Sequence, residues 1–66
     1  MNQQLTYEQV INILAHSEND AFIQQVTILL TVVHDTIKEK ALKKSDFIFT
    51  QYEEGHILVT DVKNLT

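Results

Sequence analysis

The chain has 66 residues, a formal net charge of −4 and no cysteine. This length suits one small domain, residues 1–66, and a hydrophobic fraction of 44% is typical of a folded chain. The lack of cysteine excludes disulfides, thiolate metal sites and a cysteine nucleophile. With one glycine and no proline, the chain also lacks a glycine-rich phosphate loop.

The first predicted element is a helix with a clear start signal. Thr6 and Gln9 have the spacing of a capping box, and Leu5 and Val10 flank it as a hydrophobic staple. Apolar residues then recur at helical spacing. The sequence predicts a first helix over residues 7–16.

A second, longer helix is predicted over residues 21–43, after a polar break at 17–20. One side of this segment carries a polar stripe, and several lysines lie near its C-terminal end, where cations interact favourably with the helix dipole. The opposite side is apolar and is the predicted core face: Phe22, Val26, Leu29, Leu30, Val33 and Ile37.

The last third of the chain changes to a period of two and predicts strands over residues 47–52 and 56–62. Glu53 and Glu54 followed by Gly55 suit a type I turn with a G1 bulge, and a two-residue loop is the alternative register. The expected fold is therefore α+β, with two antiparallel helices, the first short and the second long, followed by a C-terminal β-hairpin and completed by oligomerisation.

Nothing in the sequence predicts an active site. His16 is expected to cap the first helix, and the spacing of the histidines matches no local zinc motif. Ser17 next to His16 cannot form a catalytic triad, and a carboxylate pair at Glu53 and Glu54 would be exposed in a turn. We expect no catalytic residue, no cofactor, no metal and no enzymatic activity.

The distribution of charge disfavours nucleic acid as a partner. Residues 1–35 contain four acidic residues and no lysine, residues 36–66 are balanced, and arginine is absent. Nucleic-acid readers are normally basic and depend on arginine. The longest apolar stretch, residues 26–33, is too short to span a membrane. We expect no membrane association and a cytoplasmic location, since cysteine and a targeting signal are both lacking.

The most informative feature is an excess of apolar surface. Besides its core face, the long helix has a second apolar arc, and the hairpin has apolar residues on both of its faces. Either the first helix covers this arc, or the surplus forms an interface through paired helices or joined hairpins. The candidate interaction residues are Ala21, Gln25, Ile28, Val32, Ile48 and Tyr52.

The leading hypothesis is a small non-enzymatic interaction protein. It would be a homodimer that binds and modulates or inhibits a larger protein, and its acidic N-terminal half would favour a partner with a basic surface. The alternative is a small DNA-binding transcriptional regulator of reduced winged-helix type, since two helices precede a hairpin. Against that alternative, the long helix has lysines only in its last turns.

Overall fold

A computed structural model describes residues 2–63 of the chain. Two helices lie on one face of a three-stranded antiparallel sheet whose strand order is β1-β2-β3, which confirms the α+β class. The elements are β1 Gln3–Leu5, α1 Tyr7–Ala15, α2 Asp20–Lys40, a single 3-10 turn Lys44–Asp46, β2 Phe47–Gln51 and β3 Ile57–Val62.

The predicted element order was wrong at its start, because strand β1 precedes the helices. β1 pairs with β2, and Leu5 lies opposite Phe49. Leu5 is the only apolar residue within Gln3–Leu5, so this segment shows no alternating pattern from which a strand could be predicted. Burial of Leu5 in the core and the capping box that follows it hold this short strand against the sheet.

Both helices begin at side-chain caps. Thr6 Oγ1 accepts a hydrogen bond from Gln9 N at 3.2 Å, and Thr6 N donates to Gln9 Oε1 at 2.8 Å, which confirms the predicted capping box. α1 ends at Ala15 with His16 as its C-cap, one residue before the predicted end. Asn19 caps α2 by accepting from two backbone N–H groups.

The predicted C-terminus of the long helix was wrong by three residues. α2 ends at Lys40 because Ala41 adopts the left-handed conformation, with φ 55° and ψ 39°. Leu42 N then donates to Ile37 O at 3.2 Å, and the Leu42 side chain enters the core. Burial of Leu42 therefore accompanies a conformation that a non-glycine residue rarely adopts.

The hairpin has the features of the predicted G1-bulge turn. Gly55 N donates to Tyr52 O at 2.8 Å, Tyr52 N donates to His56 O at 3.0 Å, and Gly55 has φ 105°. β2 ends at Gln51, one residue before its predicted end, and β3 begins at Ile57, one residue after its predicted start. A second irregularity interrupts the pairing of β2 with β3 between Ile48 and Phe49.

The core lies between the helices and the inner face of the sheet. The predicted inner face of the long helix is confirmed in this core, since Val26, Leu30 and Val33 are buried while Phe22, Leu29 and Ile37 pack against them partly buried. The remaining buried apolar residues come from α1, from each of the three strands and from the segment after α2: Leu5, Val10, Leu42, Phe47, Phe49 and Ile57.

Candidate interaction surfaces

The outer face of α2 carries an uncovered apolar stripe, formed by Ala21, Ile28 and Val32. Ile28 and Val32 are 59% and 57% exposed. Ala21, about two helical turns before Ile28 on the same face, is also exposed. Ile28 and Val32 each lie two positions from buried Leu30, so they point about 160° away from the core. α1 therefore does not cover the second apolar arc, contrary to one of the two alternatives that the sequence left open.

Gln25, the fourth candidate residue on α2, has a role inside the domain. Its Nε2 donates to Ile57 O at 2.6 Å, and its Oε1 accepts from Ile57 N at 3.1 Å. Ile57 lies on β3, the outermost strand beyond β2, so the amide closes the edge of the sheet as a neighbouring strand would. Gln25 is therefore half-buried beside the exposed stripe, and its amide is already hydrogen-bonded.

Both helices of the described residues 2–63 lie on the inner face of the sheet, so neither of them covers its outer face. Alternation along β2, continued one residue beyond its end, places Ile48, Thr50 and Tyr52 on this face. Leu58 of β3 lies opposite Thr50 and is 42% exposed. Ile48 and Tyr52 are half-buried. The two candidate residues on the hairpin thus belong to a surface on the opposite side of the molecule from Ile28 and Val32.

Polar contacts give this outer sheet face a defined shape. The Thr50 and Thr60 hydroxyls are hydrogen-bonded to each other at 2.8 Å. The rings of Tyr52 and His56 stack at the turn, with centroids 4.8 Å apart and planes 9° from parallel. The face therefore combines a rigid aromatic pair with threonine hydroxyls and two aliphatic side chains, a composition suited to a protein contact.

A cluster around Tyr7 was not predicted from the sequence. The Tyr7 hydroxyl lies 2.7 Å from His34 Nε2, and the Lys44 ammonium lies over the Tyr7 ring, 5.2 Å from its centroid. These residues come from the start of α1, the second half of α2 and the 3-10 turn, so no spacing in the sequence indicates their contact. Tyr7 and Lys44 also line an open groove of about 880 Å³ beside β1.

The fold separates the charges more sharply than the sequence does. The α1–α2 connection and the hairpin turn meet at one end, which carries Glu18, Asp20, Glu53 and Glu54 and no lysine. All five lysines lie towards the opposite end, on the last two turns of α2, around the 3-10 turn and after β3. The five remaining carboxylates offset these lysines, so the net charge of −4 belongs to the turn end.

The histidines lie in three separate places. The His16 ring Nδ1 is 2.8 Å from Asn12 O in its own helix, which confirms the predicted structural cap. His34 contacts Tyr7, and His56 stacks on Tyr52. Among residues 2–63, no group of three metal-ligating side chains is close enough together to hold an ion.

Within the same described range, neither helix is long and apolar enough to cross a membrane. The chain matches no protein-family model, and neither a curated protein nor a solved structure matches it.

Proposed function

We propose that the protein is a small non-enzymatic interaction module that works as a homodimer and binds and modulates a larger protein in the cytoplasm. The observation that carries this proposal is the apolar stripe of α2. Two adjacent β-branched side chains, Ile28 and Val32, are more than half exposed on the side of the helix opposite the core. Paired exposure of this kind on one helix turn is typical of a contact surface.

Two separate surfaces support a module with two contacts. The α2 stripe and the outer sheet face lie on opposite sides of the domain, because the core occupies the layer between them. One contact can therefore be made without obstructing the other. We assign the α2 stripe to self-association and the outer sheet face, with Ile48, Tyr52 and Leu58, to the larger partner.

The chemistry of the turn end indicates what that partner would offer. Glu53, Glu54 and the stacked Tyr52–His56 pair lie at the same tip of the sheet. An acidic rim next to an aromatic pair favours a basic surface through faster and more selective association. A partner with lysine or arginine around an apolar patch fits this end of the molecule.

Three features support a binding role rather than catalysis. His16 and His34 are already engaged, with a backbone carbonyl and with the Tyr7 hydroxyl. Glu54 lies exposed in the hairpin turn, away from the burial that tunes a catalytic carboxyl. The large groove beside β1 is lined by capping residues, lysines, apolar side chains, Glu8 and Ser45, and no hydrogen bond among the described residues pairs Ser45 with Glu8 as a nucleophile and base.

A single substitution on the stripe tests self-association. Ile28→Asp places a charge in the proposed contact, and Thr27→Asp is the matched control, since Thr27 is exposed on the same helix about 100° away. Light scattering on a sizing column over a hundredfold concentration range should show a wild type and a Thr27→Asp variant whose mass rises towards that of a dimer with concentration, and an Ile28→Asp variant that stays monomeric. Circular dichroism should show equal helicity for all three proteins.

Two results would count against the proposal. A monomeric wild type at every concentration would remove the homodimer. Unfolding of Ile28→Asp, with a folded Thr27→Asp control, would mean that the stripe contributes to the fold of the domain itself.

The second candidate function, a reduced winged-helix regulator, has one observation in its favour. The lysines gather at one end of the domain, where Lys38, Lys40 and Lys44 could contact phosphates. Such contacts would be non-specific and strongly dependent on salt. A mobility shift on duplex DNA that disappears between low and physiological salt would support this function, and no shift at low salt would remove it.

A further inference from the structure

We infer that the partner on the α2 stripe is a second copy of the chain, packed antiparallel along α2 about a two-fold axis level with residues 29 and 30. This inference deepens the proposed homodimer by naming its contact and its direction. A two-fold contact must be self-complementary. Each residue of the stripe therefore needs a suitable neighbour on the stripe of the other copy, which runs in the opposite direction.

The apolar residues satisfy this requirement. Ile28 and Val32 are the same number of residues from Leu30, one on each side, and both point away from the core. In an antiparallel pair centred there, Ile28 of one copy lies against Val32 of the other, and the reverse contact is identical. Two exposed side chains per copy thus form one four-residue apolar centre.

The charges on either side select the antiparallel direction. About the same centre, Asp20 of one copy approaches Lys38 of the other on one side of the contact, Gln24 lies level with Asp35, and Glu39, on the same face as the stripe, lies level with Ala21. A parallel pair would instead place each of these residues beside its own copy, with two carboxylates at Asp35 and two ammonium groups at Lys38. Like charges in contact oppose association, so the parallel direction is disfavoured.

The separation of charge between the two ends of the domain favours the same arrangement. α2 starts at the acidic turn end and finishes at the lysine end. Reversing one copy brings the acidic end of each domain towards the lysine end of its neighbour. Because the lysine end is balanced by its own carboxylates, this arrangement keeps the two acidic ends apart, whereas a parallel pair would place them together.

The other route to a dimer, joining two sheets edge to edge, is obstructed. β1 has three residues, and on β3 the Gln25 amide already occupies both backbone hydrogen-bonding groups of Ile57. The irregular pairing after Ile48 further interrupts the ladder. Short, bulged and covered edges are the usual means by which sheets avoid pairing with one another.

The expected dimer is a weak one. A helix of 21 residues is about 30 Å long, so two such helices in contact bury less than the roughly 800 Å² per partner of a standard interface. We therefore expect an equilibrium between monomer and dimer rather than a permanent dimer.

Single cysteines test the direction of the contact, because the native chain has none. Gln24→Cys and Asp35→Cys change two exposed positions on the same side of α2. In the antiparallel dimer, position 24 lies level with position 35 of the other copy, whereas two copies of position 24 are about 16 Å apart along the helices. A disulfide needs Cα atoms within about 7 Å, so only the mixed pair can cross-link readily.

The expected result is a covalent dimer in an oxidised mixture of the two variants, and little or none in either variant alone. Cross-linking of each variant with itself would indicate a parallel contact and overturn the inference while leaving the homodimer intact. If the Ile28→Asp variant still dimerises, the contact lies elsewhere, and this result would also overturn the inference while leaving the homodimer intact. A monomeric wild type would overturn both the inference and the proposed homodimer.

A charge exchange gives a second measurement that does not depend on cross-linking. Lys38→Glu should weaken dimerisation by roughly threefold to tenfold at low salt, since it places a carboxylate near Asp20 of the other copy. Asp20→Lys in the same chain should restore it, because both contacts regain opposite charges. Additive weakening by the two changes would show that these residues do not meet.

Discussion

The hydrogen bonds between Gln25 and Ile57 predict that one polar side chain on α2 secures the edge of the sheet. Gln25→Ala removes a donor to Ile57 O and an acceptor from Ile57 N, which lie 2.6 and 3.1 Å from the amide. A net loss of about 1 kcal/mol for each bond gives a destabilisation of about 2 kcal/mol. In this variant the N–H and C=O groups of Ile57, whose side chain is fully buried, can form these hydrogen bonds only with water.

This loss is large for the chain. At about 0.05–0.15 kcal/mol per residue, a domain of this size has a free energy of unfolding of roughly 3–10 kcal/mol. With an m-value of about 1 kcal/mol/M in urea, the unfolding midpoint should fall by about 2 M. Circular dichroism during urea titration measures the shift, at a protein concentration low enough for the monomer to predominate, so that self-association does not contribute.

Gln24→Ala is the matched control, since it makes the same chemical change at the adjacent, exposed position of the same helix. Both variants gain the same helix propensity, so the difference between them isolates the contact with Ile57. Hydrogen exchange at the Ile57 amide should also become faster in Gln25→Ala alone. Equal midpoints for the two variants would refute the assignment of Gln25 as the cap of the β3 edge.

Two further predictions concern the two residues with positive φ in the described part of the chain. Ala41→Gly should raise the free energy of unfolding by about 0.5–1 kcal/mol in thermal or urea unfolding, because φ 55° is unfavourable for alanine; an unchanged stability would contradict this reasoning. Gly55→Ala should lower it by about 1–2 kcal/mol, and because nothing lies within 4 Å of an added Cβ, the cost is that of the backbone alone. A clearly greater loss would show that the hairpin depends on Gly55 for more than its φ angle.

Local signals in the sequence were sufficient for the helix starts and the hairpin turn. The Thr6 capping box and the Gly55 turn depend on residues within a few positions of each other, and both are present in the structure. The exposure of Ile28 and Val32 followed from helical periodicity together with the limited amount of structure available to cover α2.

Features that depend on contacts distant in sequence could not be predicted in this way. β1 is a strand only because β2, some 45 residues later, supplies its hydrogen-bonding partner. α2 ends early, at Lys40, because the chain turns at Ala41 and buries Leu42. The contact between Tyr7 and His34 requires the two helices to run antiparallel. From helical periodicity, Gln25 was predicted to border a contact surface. In the structure its amide is hydrogen-bonded to the backbone of Ile57 on the edge strand β3.

The position of the two surfaces determines what the proposed dimer would present to a partner. Antiparallel packing of α2 on α2 places the helices in the middle and the two sheets on the outside. The outer sheet faces, with Ile48, Tyr52 and Leu58, then point in opposite directions, and each ends at an acidic hairpin turn. Such a dimer offers two identical contacts, so it can bridge two copies of a larger protein or bind twice to a repetitive one, with avidity beyond that of a single contact. Dissociating the dimer at Ile28 would then remove the avidity and leave the affinity of each sheet face unchanged.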